Sequence, residues 1–136
     1  MKNVAGPAVD EHLASLEHIQ RWPAGKTLFV EGEQPRGVYV IHSGEVEMVF
    51  SSRSGVRKPL RVAGRGDVVG LGDAVSNRER DCTATTRTTA RIGFIPLSDL
   101  WRMLDQMPEL WLSIARMLSS DVNACWASMR SIGAQR

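Results

Sequence analysis

A mainly β domain with flanking helices is predicted, built as a sandwich or jelly roll of short antiparallel strands and followed by a long C-terminal helix. Three observations predict it. Between Thr27 and Ile95 the signals are those of strands, and at Val46, Met48 and Phe50 apolar residues alternate with Glu45 and Glu47, the period of a half-buried strand. Turn signals recur at Gly32, Pro35, Gly37, Gly44, Gly55, Gly64 and Gly66, as many short strands require. After Ser98 the apolar spacing changes to three and four, the spacing of helices. The chain's 136 residues, 43% hydrophobic and 24% charged, suit one globular domain with its own core.

Taken in order, residues from about Asp10 to Gln20 carry Leu13, Leu16 and Ile19 at spacings of three, which predicts a helix broken by Pro23 and Gly25. A strand follows at Val38 to Ile41, joined by the Ser43-Gly44 turn to a second strand. In that second strand Val46, Met48 and Phe50 alternate with Glu45 and Glu47. Val68-Val69 and Ile92 to Ile95 read as further short strands. Ser98 is placed to cap a short helix through Leu100, Trp101 and Leu104. Pro108 sits where a second helix begins, at the turn in which a missing N–H costs nothing.

That second helix is expected to run to about Ile132, stopped by Gly133. Trp111, Ile114, Leu118, Val122, Cys125, Met129 and Ile132 form its apolar stripe. At about 25 residues it would be ~37 Å long, more than a small β domain covers. The excess stripe predicts a homodimer. The organisation expected is a β roll with short helices over 1–107 and a dimerisation helix over 108–136.

Charge and reactive residues exclude several classes. The net charge of +2 is too mild to argue nucleic-acid binding, and Arg53, Arg57, Lys58, Arg61 and Arg65 read as the solvated face of a hairpin. Cys82 and Cys125 have neither metal spacing nor a disulfide framework. Cys125 falls on the apolar stripe; Cys82 is either a small hydrophobe or a reactive thiol. His12, His18 and His42 lack paired ligand spacing and read as surface residues. With no nucleophile–base–orienter string, zinc spacing or phosphate P-loop, an enzyme is not expected. No apolar run approaches 18 residues and no signal-peptide pattern opens the chain, so a cytoplasmic protein without membrane contact is expected.

GKTLFVEGEQPRGVYVIHSGEVEM resembles the first half of the cyclic nucleotide-binding domains of Crp/Fnr regulators. GRGDVVGLGDAV and RDCTATTRTTARIGFIPLSDLWRML resemble the second half, so the likeness runs from about Leu16 to Ile132. It implies a double-stranded β-helix (jelly roll), short flanking helices and a long dimer-forming helix. Relatives carry a DNA-binding helix-turn-helix after that helix. This chain stops at Arg136, so DNA contact is expected only through a domain absent from it.

The resemblance also implies a phosphate-binding cassette, in which backbone N–H groups and an arginine face a cyclic phosphate and a glutamate accepts from the ribose 2′-hydroxyl. Carried over, Gly70, Gly72 and Ala74 keep a backbone that a ligand can approach, and Arg80 coincides with the phosphate arginine. Leu71 replaces the ribose glutamate, and Asp81 replaces the small hydroxyl residue after the arginine, with Cys82 and Thr83 next. Asp73 is either a substitute ribose acceptor or a turn residue. The alternative reading makes Arg80 a surface partner of Asp81 or Glu79. The expectation is a small-molecule effector-sensing domain with a degenerate cassette that binds cAMP weakly or not at all. A functional cAMP or cGMP domain and a ligand-free dimerisation module are the alternatives, and no cofactor other than such a cyclic nucleotide is expected.

Overall fold

In the computed structural model the described residues are 18–51, 55–109, 111, 112 and 114–116. The chain forms β1 (His18–Trp22), β2 (Thr27–Phe29), β3 (Gly37–Ser43), β4 (Val46–Ser51), β5 (Arg57–Ala63), β6 (Val68–Val69), α1 (Leu71–Ser76), β7 (Thr83–Thr86), β8 (Ala90–Pro96) and α2 (Leu97–Gln106). They build two four-stranded antiparallel sheets, ordered β1-β8-β3-β6 and β2-β7-β4-β5. Successive strands pass from one sheet to the other, except for the β4–β5 hairpin. The Ser43-Gly44 turn is therefore a crossing between sheets. Gly44 takes a φ of +87°, and a Cβ there would lie 2.7 Å from the Ala90 Cα, so the crossing requires glycine.

Period two reads β4 correctly. Val46 and Met48 are buried and Glu47 faces outward. Pro59 is tolerated because β5 is an edge strand, where a missing donor breaks no second ladder. The expected N-terminal helix needs correction at its end. Residues 18–20 belong to β1, which pairs with β8 from His18↔Phe94 to Trp22↔Ala90. That ladder partner lies far along the chain, so the local spacing of Leu16 and Ile19 carries no trace of it. Residues 10–17 lie outside the described residues.

Ser98 does not cap α2. The cap position is Pro96, with no side-chain hydrogen bond, and the Leu97 N–H is satisfied by the Arg36 carbonyl at 2.8 Å. The residue before β3 thus satisfies the first N–H of α2. After α2, the Trp111 N–H donates to the Pro108 carbonyl at 3.1 Å, consistent with a helical turn beginning at the proline, and residues 111–112 and 114–116 are helical.

The core has two parts. Between the sheets, Phe29, Ile41, Val46, Met48, Cys82 and Ile92 pack together. Beneath the helices, Val38, Leu71, Ala74, Leu100, Leu104 and Ile114 form the second cluster. Burying one such aliphatic side chain contributes about 1.5–3 kcal/mol. The helical cluster therefore fixes α1 and α2 against β3 and β8.

Candidate functional site

The site is built where β6 ends. β6 is two residues long, and Gly70 then turns the chain with φ +86° into α1. Asn77, also left-handed at φ 54°, closes α1. The chain runs through residues 78–82 into β7. Arg80 lies in this return, only 3% exposed. Its backbone is pinned to the β2–β3 connection by the Arg80 N–H to the Glu33 carbonyl and the Gly32 N–H to the Arg80 carbonyl, both 2.8 Å.

The guanidinium of Arg80 points inward. Nη1 donates to the Gly70 carbonyl at 2.7 Å and Nη2 to the Gly37 carbonyl at 2.6 Å. Its central carbon stands 4.1 Å over the Phe29 ring, a cation–π contact. Phe29 in turn packs on Tyr39, ring centres 6.0 Å apart. Gly37 needs this service for a geometric reason. The Arg36 carbonyl is turned toward β8, so that of Gly37 faces the other side, and β6 covers β3 only at Tyr39 and Val40. Beyond that end of the β6 pairing, Arg80 bonds the Gly37 carbonyl.

Arg80 Nε is buried with no hydrogen-bond partner. Among the described residues no carboxylate forms an ion pair with Arg80. Burial pulls the guanidinium below its ordinary pKa, against the opposing charges of Asp73, Tyr39, Cys82 and Glu33. A desolvated cation without a paired anion is costly.

The expected site residues separate into two groups. Gly70, Asp73, Arg80 and Asp81 come together. Asp73 is 7% exposed; its Oδ2 accepts the Asp81 N–H at 3.4 Å and its Oδ1 lies 3.9 Å from Arg78 Nη2. Its carboxyl is held above the ordinary value by burial first and then by the charge of Asp81. Asp81 is exposed while Arg80 is buried, so the two side chains do not share a pocket, and a surface pairing of Arg80 with Asp81 or Glu79 is excluded. Leu71 and Ala74 instead turn into the helical core, Leu71 with 3% of its surface exposed, and Gly72 is half-buried. Cys82 is a core residue, 5% exposed. The Thr83 hydroxyl accepts the Glu31 N–H at 3.0 Å.

Thr83 also lines a groove of about 530 Å³ on the outer face of the second sheet, with Val30, Glu31, Val49, Ser51 and Arg57. A neighbouring groove of about 520 Å³ shares Val49 and Arg57. Neither is lined by Arg80.

Of the expected dimer stripe, Trp111 is 44% exposed and stacks near Trp101, centroids 6.0 Å apart. Ile114 is buried in its own chain's helical cluster. Leu118, Val122, Cys125, Met129 and Ile132 lie outside the described residues. Sequence reasoning missed Phe29, Gly37 and the Gly32–Glu33 turn as neighbours of Arg80. The only signal was the pair of glycines in GEQPRG.

The sequence pattern of the cyclic nucleotide-binding domain family matches residues 19–107. The chain is 29% identical over 119 residues to an anaerobic regulatory protein of Haemophilus influenzae, covering 85% of this chain and 46% of that protein. It is 23% identical over 122 residues to a lysophospholipase of Kluyveromyces lactis, covering 85% of this chain and 8% of that protein. The solved structure of the Thermus thermophilus catabolite activator protein matches with a TM-score of 0.79 at 20% identity, over 94% of this chain and 60% of that one. The sensor domain of the regulator DNR from Pseudomonas aeruginosa matches with a TM-score of 0.70 at 19% identity, over 86% and 79%. At these identities the structural likenesses show the fold. The chain spans less than half the length of these two curated relatives. Among the described residues no helix is long and apolar enough to cross a membrane.

Proposed function

This chain belongs to the cyclic nucleotide-binding domain family, and from that premise we propose that it is the effector-sensing and dimerisation domain of a cytoplasmic Crp/Fnr-type transcription regulator, with a cassette that anchors an anion but does not recognise ribose. The observation that carries this reading is Arg80, a buried guanidinium with an unpartnered Nε and, among the described residues, no carboxylate paired to it. Buried charges are stable when paired, and an anionic effector supplies the missing charge. The ribose side is supported by Leu71. It is committed to the helical core and offers no acceptor. Losing a hydrogen bond to a charged acceptor costs about 1.5–3 kcal/mol, one to two powers of ten in affinity.

In this reading the two sheets form a double-stranded β-helix, and the helix that begins near Trp111 joins two copies through its apolar stripe. The exposure of Trp111, 44%, favours that, whereas Ile114 of the same stripe is committed to its own chain's core. DNA contact belongs to a separate domain, and the module performs no chemistry. Calorimetry with cAMP and cGMP tests the proposal. Weak heats that disappear in Arg80→Ala support it, whereas tight saturable binding makes this a fully functional cyclic nucleotide domain. A ligand-free module is the second reading, favoured by one observation: two backbone carbonyls already occupy Nη1 and Nη2. No heat with any nucleotide or with inorganic phosphate would establish it.

A further inference from the structure

Asp73 is a carboxylate buried on long contacts. It lies in the first turn of α1, 7% exposed. Its Oδ2 accepts the Asp81 N–H at 3.4 Å, and its Oδ1 lies 3.9 Å from Nη2 of Arg78, a side chain that is 67% exposed. Buried carboxylates are ordinarily held by shorter bonds than these. What surrounds it nonetheless favours an anion. The Asp81 amide follows the buried Arg80 directly in the chain, and the charge of Asp73 is foremost among those that keep the Arg80 guanidinium protonated against its burial. Three groups suited to an anion, the Asp81 N–H and the guanidinia of Arg78 and Arg80, thus act on one carboxylate of the chain itself.

We propose that Asp73 is the site's own counterion: its carboxylate holds the Asp81 N–H and Arg78 in the seat that an effector's oxyanion would take, so that Asp73 sets the low affinity of the cassette. The proposal rests on the reading of Arg80 as the effector's anchor. The argument is one of competition. Arg78 is the exposed cation here, so an ion arriving from solvent meets it first, and Arg80 lies buried. An oxyanion in that place shares the Asp81 N–H and both arginines with a carboxylate of its own sign. Two like charges at hydrogen-bonding separations repel far more strongly in a partly desolvated site than in water. Either the effector displaces the Asp73 carboxylate, or that carboxylate takes up a proton. The charged groups that face it among the described residues are Asp81, Arg80 and Arg78, all on the return from α1. The exchange leaves α1 in place, because Leu71 and Ala74 hold it in the helical core and one anion beside its first turn is replaced by another.

Titration of the whole 136-residue chain with sulfate, followed on the Asp81 and Gly70 amide resonances, tests this. Sulfate stays a dianion where carboxylates titrate, and it carries no ribose or base. Asp73→Asn keeps the side chain's shape without its charge, and it should bind sulfate tighter than wild type by about tenfold or more. The gain should vanish in the double variant Asp73→Asn/Arg80→Ala. The wild-type chain gives a second measurement, which stands even where Asp73→Asn fails to fold. Its sulfate affinity should rise as pH falls through the folded value of Asp73, which lies above the ordinary 3.8. Asp81→Asn should keep that rise but move it to lower pH, because the charge of Asp81 helps to raise Asp73. The counterion is overturned if a folded Asp73→Asn binds sulfate no tighter than wild type, or if wild-type affinity does not change with pH. In that event the effector reading still stands, provided Arg80→Ala abolishes the wild-type binding. A gain that persists in the double variant keeps the counterion and removes Arg80 as the anchor. Absence of binding by every variant overturns both.

Discussion

Gly70→Ala makes the contact between Gly70 and Arg80 measurable. Gly70 combines two demands, a φ of +86° and a close approach by Arg80 Nη1. The left-handed backbone alone costs an alanine about 1–2 kcal/mol. A Cβ also displaces Nη1 from the Gly70 carbonyl, forfeiting a charge-assisted hydrogen bond worth about 1.5–3 kcal/mol. The substitution should therefore destabilise the fold by about 2.5–5 kcal/mol, a large share of the 5–15 kcal/mol typical of a domain. Gly32→Ala supplies the reference. Gly32 has a φ of +93° but nothing within 4 Å of the added Cβ, so only the backbone cost applies. In an Arg80→Ala background the steric part of Gly70→Ala vanishes as well. Urea denaturation of the four members of this cycle should return a coupling of about 1.5–3 kcal/mol. A coupling near zero, or a Gly70→Ala cost no greater than that of Gly32→Ala, refutes the contact on which the site is built.

Two further perturbations follow from the same geometry. At Gly37 an added Cβ would lie 2.7 Å from the Phe94 ring and collide with the Ile95 carbonyl. Gly37→Ala should therefore push β3 from β8 and lower the urea midpoint by the equivalent of roughly 2 kcal/mol or more; an unchanged midpoint contradicts this. Asp73 predicts a pH dependence. Its carboxyl is raised by burial and by Asp81, against the opposing Asp81 amide, Arg80 and Arg78. The unfolded chain releases this proton from about its ordinary value of 3.8, and the folded chain only at higher pH. Stability from this group is thus present below 3.8 and falls as pH rises through the folded value. Asp73→Asn should flatten the stability profile just above pH 3.8. A profile as steep as wild type would assign the slope elsewhere.

Much of the fold was legible because the strands obey a local rule. Val46 and Met48 alternate with Glu47, and that alternation alone orients β4. Gly44 and Gly66 mark junctions at positive φ, where few residues but glycine are comfortable. What stayed hidden depends on partners distant in sequence. β1 looks helical by spacing until β8 claims it as a ladder partner. Ser98 looks like a cap until the Arg36 carbonyl is seen to do that work. At the site, Arg80 stood out because it coincides with the family's phosphate arginine, and its burial beside Asp73 could not be inferred from neighbours in the chain. The substitution at Leu71 marked the right position but not its direction. A leucine at the start of a short helix can line a pocket or enter a core, and here Val38 and Leu100 receive it in the core.

The account requires that an anion be held by Arg80 while ribose goes unread, and a comparative NMR titration with cAMP and its 2′-deoxy analogue tests both halves at once. Both compounds should shift the Arg80 and Gly70 resonances with the same weak affinity, and neither should do so in Arg80→Ala. Binding of cAMP tighter than its deoxy analogue by about tenfold or more would mean that a hydrogen bond to the 2′-hydroxyl exists after all, and the proposed loss of ribose recognition would be wrong.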